Sequence, residues 1–168
     1  MSMQTAENES FTLEIERVIG APREVVWRCW TEPDLLKQWY CPAPWKVTSA
    51  DIDLKPGGRM NCVMEGPTDE RHETVGSFLE VVPHESLVFT DAYSEGFMPR
   101  ANPFMTGYVR LRDHDGGQTK MLWGGRHTSA QDRQKHLEMG FEQGWNTAAR
   151  QLDELARSMA RSEQGGGW

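Results

Sequence analysis

A chain of 168 residues carrying 25 acidic and 18 basic side chains, a formal net charge of -7, has the length of one domain and enough interior for a real core. The acidic balance and the lack of a basic run exclude nucleic acid or an anionic membrane as the main partner. No apolar run approaches the roughly 18 residues of a membrane span, and MSMQTAENES lacks the charged-then-apolar pattern of a secretory leader.

Three cysteines, Cys29, Cys41 and Cys62, make an odd count without CxxC spacing. They read as reduced thiols, and the expected location is cytoplasmic. The five histidines do not pair with them at ligand spacing, so no metal is expected.

Residues 1–10 are expected to form a disordered arm. Phe11, Leu13 and Ile15 then alternate with Thr12, Glu14 and Glu16, the pattern of a half-buried strand. Arg17 stands in the apolar parity, at the strand's rim or inside a cavity. Gly20-Ala21-Pro22 ends the strand, and Pro22 suits a first helical turn. Val25, Val26, Cys29 and Trp30 recur at helical spacing. Thr31 is placed to cap a second short helix that has Pro33 in its first turn and Leu35, Leu36 and Trp39 on its apolar side. Cys41-Pro42-Ala43-Pro44 cannot stay helical.

Strands follow: 46–54, one through Met60, Cys62 and Met64, 72–82, 87–93, 105–112 and 119–128. Turn signals at Lys55-Pro56-Gly57-Gly58, Gly66-Pro67-Thr68-Asp69, Pro83-His84-Glu85 and Asp113-His114-Asp115-Gly116-Gly117 separate most of them. Arg110 and Arg112 alternate on a solvated strand face. Gly124-Gly125 reads as a strand bulge. The segment 94–104 is loop-like yet apolar, with Phe97, Met98 and Phe104, and a loop of that length is more often functional than filler.

Residues 131–159 read as one long helix, with Leu137, Phe141, Trp145, Ala148, Leu152, Leu155 and Met159 on one stripe. Gly140 and Gly144 cost helix propensity, about 1 kcal/mol each, which points to a kink, a close approach or room for a ligand. Residues 160–168 are expected to be a flexible tail. A strand, two short helices, a run of antiparallel strands and a long helix together define an α+β domain over 11–159.

Five stretches in this order resemble a known family: APREVVWRCWTEP at Ala21 to Pro33, the following LLKQWYCP, DLKPGGRM at Asp53 to Met60 (with Lys55 off pattern), the G-x-x-x-E-V-V-P spacing at Gly76 to Pro83, and GW-x(6)-L-x-x-L at Gly144 to Leu155. The chain resembles the activator of heat-shock-protein-90 ATPase homologue-like group, within the START-like, birch-pollen-allergen-like (SRPBCC) superfamily. That resemblance implies a helix-grip fold: a curved antiparallel seven-stranded sheet wrapped around a long C-terminal helix, with two short helices after the first strand. It also implies an apolar cavity between sheet and helix that takes hydrophobic small molecules.

The residues chosen for the lining of such a cavity are Trp39, Trp45, Met60, Met64, His72, Tyr93, Phe97, Trp123, Phe141 and Trp145. For each apolar one, plain core packing explains the residue as well as a ligand does. His127 and His136 are expected to be exposed. No nucleophile elbow, zinc motif or phosphate loop is present, so no catalytic residue, cofactor or metal ligand is assigned.

Three functions compete. The first is binding of a hydrophobic or aromatic small molecule, in stress response or regulation. The second is an enzyme of cyclase, aromatase or hydrolase type in the same pocket, with Arg17 or His72 beside Asp91. The third is a co-chaperone that stimulates a heat-shock chaperone's ATPase. A homodimer is compatible with such a domain, though no sequence feature requires one.

Overall fold

The computed structural model describes residues 11–165. The arm expected over 1–10, and residues 166–168 of the expected tail, lie outside the described residues. The elements in chain order are β1 (Thr12–Ile19), α1 (Arg23–Thr31), α2 (Pro33–Leu36), β2 (Lys46–Ile52), β3 (Met60–Glu65), β4 (Arg71–Thr74), β5 (Ser77–Val82), β6 (Ser86–Thr90), β7 (Tyr93–Ser94), β8 (Met98–Pro99), β9 (Met105–His114), β10 (Gln118–His127), α3 (Ala130–Glu138) and α4 (Phe141–Gly165).

Five strands pair in the order β1-β10-β9-β6-β5, and three more in the order β2-β3-β4. The two groups meet where Met60 N donates to Gly76 O and Phe78 N donates to Gly58 O. The strand expected over 72–82 is interrupted at Val75-Gly76, which leaves β4 and β5 on either side. Counted as one strand, they complete a seven-stranded antiparallel surface. Gly76 is required at the break, because a Cβ there would stand 2.6 Å from Thr90 O.

The alternation read for the first strand sets its two faces. Leu13, Ile15 and Ile19 are buried, opposite Gly125, Trp123 and Thr119 of β10. Arg17 pairs with Met121 in the same row and is half-buried. Gly124 and Gly125 sit in continuous register with both β1 and β9, so no bulge forms there. The register shifts fall instead between Val47 and Ser49 and between Phe78 and Glu80. A Cβ at Gly124 would run into the Tyr108 ring and, at 2.9 Å, into Leu13 O. Space, not a bulge, demands glycine at that position.

Thr31 does not cap α2. Its hydroxyl donates back to Trp27 O at 2.9 Å, and Glu32 takes the N-cap position ahead of Pro33. The chain leaves the helical conformation after Leu36, so Trp39 and Tyr40 belong to a turn.

The single helix expected over 131–159 is two helices. α3 begins at Ser129, whose Oγ accepts from Asp132 N at 3.1 Å. It ends at Gly140, which adopts φ +93° and whose N–H donates to Leu137 O at 3.1 Å. This left-handed stop is the C-terminal signal that glycine supplies best. α4 then runs to Gly165, past Met159, so residues 160–165 are helical. It buries Phe141, Ala148, Ala149, Leu152 and Ala156 against the sheet and α1. Asp153 of α4 accepts from Gly20 N at 2.8 Å and so ties the helix to the β1–α1 turn.

Gly140 has no atom within 4 Å of where a Cβ would stand, so the cost of a side chain there is purely conformational. The variant Gly140→Ala should lose about 1 to 2 kcal/mol. Urea unfolding should show a lower midpoint with an unchanged slope.

Candidate functional site

The interior between the sheet and α4 is aromatic. Trp30 of α1 and Trp39 of the following turn are both fully buried. Their ring centroids lie 4.7 Å apart, edge to face at 73°. Trp30 meets Trp123 of β10 at 5.2 Å and 87°, and Tyr40 at 5.7 Å. On the far side, Trp145 of α4 stacks on Trp123 at 4.2 Å and 22° and touches Phe141 at 4.5 Å. The rings thus run without interruption from the short helices, across the sheet, to the long helix. Edge-to-face and offset-stacked pairs are the arrangements that aromatic quadrupoles favour.

Polar groups fix this cluster in place. Trp39 Nε1 donates to Cys29 O at 2.9 Å. Gln151 of α4 donates to Trp39 O at 3.1 Å and to Cys41 O at 2.8 Å. Its Oε1 accepts from Ala43 N at 3.0 Å. One amide side chain therefore holds the 39–43 turn to the long helix. Gln151 carried no signal in the sequence, because a glutamine beside an apolar stripe reads as solvated.

Of the residues chosen from the sequence, ring contacts bring together Trp39, Trp123, Phe141 and Trp145. Met60, Cys62 and Met64 form one row on β3, with Met60 and Cys62 buried and Met64 half-buried. Trp45 is half-buried and lies over Gly66, where a Cβ would come within 2.9 Å of its ring. His72 pairs with Met64 across β3 and β4 and so shares its face, but its side chain is exposed. Tyr93 and Phe97 meet each other at 6.2 Å, with Phe97 lying against Gly57. Trp30, Tyr40 and Gln151 complete the interior beyond the residues chosen.

The loop 94–104 holds the short hairpin β7–β8 and is braced on several sides. Asp91 accepts from Phe104 N at 2.9 Å and from Met105 N at 3.2 Å. Arg100 donates to Val75 O at 2.6 Å, Gly96 N donates to Gly57 O at 2.9 Å, and Arg59 pairs with Glu95. Arg17, His72 and Asp91 therefore occupy three different places, and the acid–base group that an enzyme reading would draw from them does not assemble.

His127 and His136 are not exposed. His127 is buried, its Nδ1 2.8 Å from Phe11 O and its Nε2 2.8 Å from His136 Nδ1. A carbonyl can only accept, so Nδ1 of His127 donates to Phe11 O, while Nε2 shares its hydrogen bond with His136 Nδ1. Burial, and then the charge His127 would carry, hold the His136 pKa down to about 4. The Phe104, Phe141 and Trp145 rings pack around it.

Burial also raises the thiols, to about 12 for Cys29 and Cys62 and about 11 for Cys41, and it raises the Tyr40 phenol. Among the described residues no group of three or more histidine, cysteine, aspartate or glutamate side chains gathers as a metal site. Likewise among the described residues, no helix is long and apolar enough to cross a membrane.

Beside this interior, along the flank of α4, lies an open cleft of about 700 Å³. Its lining includes Arg17, Leu137, Glu142, Asn146, Thr147 and Arg150. Apart from Leu137 and Gly140 its lining residues are polar or charged, and none of the buried tryptophans is among them.

A curved antiparallel sheet gripping a long C-terminal helix, closed at one end by two short helices and lined with rings, defines a protein of the helix-grip class. The profile described as Activator of Hsp90 ATPase homolog 1-like protein matches residues 20–157, and the chain belongs to that family. A crystal structure of a protein from Nitrosomonas europaea is 33% identical, with a TM-score of 0.84 over 95% of this chain and 98% of that one. A crystal structure from Mycobacterium smegmatis is 30% identical, with a TM-score of 0.76 over 90% and 94%. A solution structure from Arthrobacter aurescens is 25% identical, with a TM-score of 0.77 over 89% and 88%. No curated protein matches the chain.

Two outcomes follow from the electrostatics. At about pH 8 an aromatic disulfide reagent should leave all three thiols unreacted in the folded protein and titrate all three after unfolding. For His136, a folded pKa below the ordinary value of about 6.5 means the unfolded chain takes up the proton first. The stability contribution is complete above about pH 6.5 and is lost as pH falls toward about 4. NMR should give His136 a midpoint near 4, and the melting temperature should fall more steeply over that range in wild type than in His136→Asn. A midpoint near 6.5 would contradict the packing described.

Proposed function

We propose that the protein binds a hydrophobic or aromatic small molecule between the sheet and α4, as a regulatory or stress-related binding protein of the cytoplasm. The observation that carries this reading is the gradation of burial within one ring cluster. Trp30, Trp39 and Trp123 are sealed in the core, whereas Tyr40 and Trp145, both stacked on Trp123, are half-buried at its edge. Accessible rings backed by a rigid aromatic wall suit a flat apolar guest. Met64 and Trp45 add further half-exposed apolar surface, and methionine adapts to irregular shapes.

The element bearing Trp145 is also the one best placed to yield. α4 starts afresh after the break at Gly140, and Gly144 lies beside the Pro42 ring, where a Cβ would make only an ordinary contact, 3.8 Å from Pro42 Cγ. A guest would enter by displacing Trp145 from its stack. Titration with naphthalene-sized aromatic ligands should quench tryptophan fluorescence at micromolar concentrations and raise the melting temperature. In Trp145→Ala, which vacates the place the guest ring would take on Trp123, the affinity should rise, while the melting temperature of the free protein should fall because Trp145 packs against the core.

A second reading follows the family's description, stimulation of a heat-shock chaperone ATPase. The exposed pair Phe97 (49%) and Met98 (61%) on the braced hairpin favours it, because apolar tips held rigidly at the surface suit a protein partner. An ATPase assay with the chaperone, comparing wild type with Phe97→Ser, tests it: no stimulation by either removes this reading.

A further inference from the structure

Two donors in the aromatic interior have no acceptor. Trp30 is fully buried and Trp123 is 3% exposed, yet among the described residues no atom accepts a hydrogen bond from either indole Nε1. Trp39 in the same cluster shows the ordinary solution, with its Nε1 paired to Cys29 O. Native proteins satisfy the large majority of their buried polar groups, and each exception calls for a reason. Here two exceptions fall on touching rings, 5.2 Å apart between centroids. The surrounding ring faces are weak acceptors compared with an oxygen. Phenylalanine at either position would keep a ring and remove the orphaned donor. Breaches of local satisfaction of this kind are expected where a site does work.

The neighbours of the two donors restrict what could pair with them. Trp39, Tyr40, Phe89 and Trp145 supply rings. The nearby thiols are held protonated by burial. Arg17 and Arg150 belong to the outer cleft. An anion placed here would lose its hydration without gaining a cation, which is costly. A cation would be drawn to the ring faces but would leave both indole donors unpaired. A neutral oxygen bears neither penalty.

We infer that the interior takes an uncharged, flat aromatic molecule bearing a carbonyl or ether oxygen, and that the indole N–H groups of Trp30 and Trp123 donate to that oxygen. This rests on the interior-binding reading above and adds the ligand's chemical class to it. The stacked geometry of Tyr40 and Trp145 on Trp123 selects the flat ring. The two donors select the oxygen and set how far in it must reach.

The test compares matched pairs that share a shape and differ in the acceptor: acetophenone against ethylbenzene, and acetylnaphthalene against ethylnaphthalene. Each is titrated into the full chain, following the assigned indole N–H resonances by NMR. The ketones should bind about tenfold more tightly than the hydrocarbons, the range one satisfied hydrogen bond is worth. They should also move the Trp30 and Trp123 indole protons downfield while leaving Trp39 in place. Trp30→Phe and Trp123→Phe, shown to be folded by circular dichroism, should each lose most of the ketone preference and keep hydrocarbon binding. Should either variant fail to fold, the wild-type indole shifts decide alone. Equal affinity for ketone and hydrocarbon, with those two resonances unmoved, overturns this inference and leaves the interior-binding reading standing. Binding of neither member of either pair overturns both.

Discussion

The indole of Trp30 is the contact on which the rest of the structure depends. It is fully buried and sits edge to face against Trp39 and Trp123, so it joins the short helices to the middle of the sheet. Trp123 passes the contact on to α4 through its stack with Trp145. Without that central ring α1 would lose its largest contact with β10, and the 39–43 turn would rest there on Trp39 and Tyr40 alone; burying rings of this kind supplies much of a small domain's stability. The Gln151 amide then locks the same turn to α4. Hydrophobic burial positions the layers and hydrogen bonding fixes their register.

The same cluster explains why scaffold and candidate site share residues. A sheet wrapped on a helix leaves a wedge-shaped space that large flat side chains fill well. Rings deep in the wedge are immobile. Those at its edge, Tyr40 and Trp145, are held by ring contacts, and among the described residues neither side chain has a hydrogen bond to fix it. A guest ring can replace such stacking with stacking of its own at modest cost, whereas expelling Trp39 would also break its bond to Cys29 O. The polar cleft beside α4 offers no such exchange.

Much of the fold was legible in the sequence because its signals are local. Leu13, Ile15 and Ile19 alternate, and that alternation is the buried face of β1. The turn at Lys55-Gly58 falls between strands as read, and the one read at Asp113-Gly117 narrows to residues 115–117 because β9 extends to His114. Spacing alone could not reveal long-range demands. The stripe through Leu137 and Phe141 is continuous, so the helix break became visible only through the backbone of Gly140 at φ +93°. The Val75-Gly76 interruption comes from the approach of Thr90 O. Gly124 answers to the Tyr108 ring one strand away, which no local pattern records.

The candidate site was half legible, for a related reason. Trp123, Phe141 and Trp145 stood out as large apolar residues on inward rows, and their contacts are local to two elements. Phe97 and Tyr93 looked equivalent by type, but the bonds of Asp91 and Arg100 draw their loop onto the 55–58 turn. His127 and His136 looked exposed because each is polar. They are enclosed because each satisfies the other, with Phe11 O closing the chain. The unpaired donors of Trp30 and Trp123 have no sequence signature, since only three-dimensional packing shows what an indole N–H lacks. The most direct measurement is a crystal structure of the protein with acetylnaphthalene. The account predicts the naphthalene ring against Trp123, with Trp145 moved from its stack and the ketone oxygen within reach of the Trp30 and Trp123 indole nitrogens. Density confined to the Arg17–Arg150 cleft, with every interior ring in place, would contradict it.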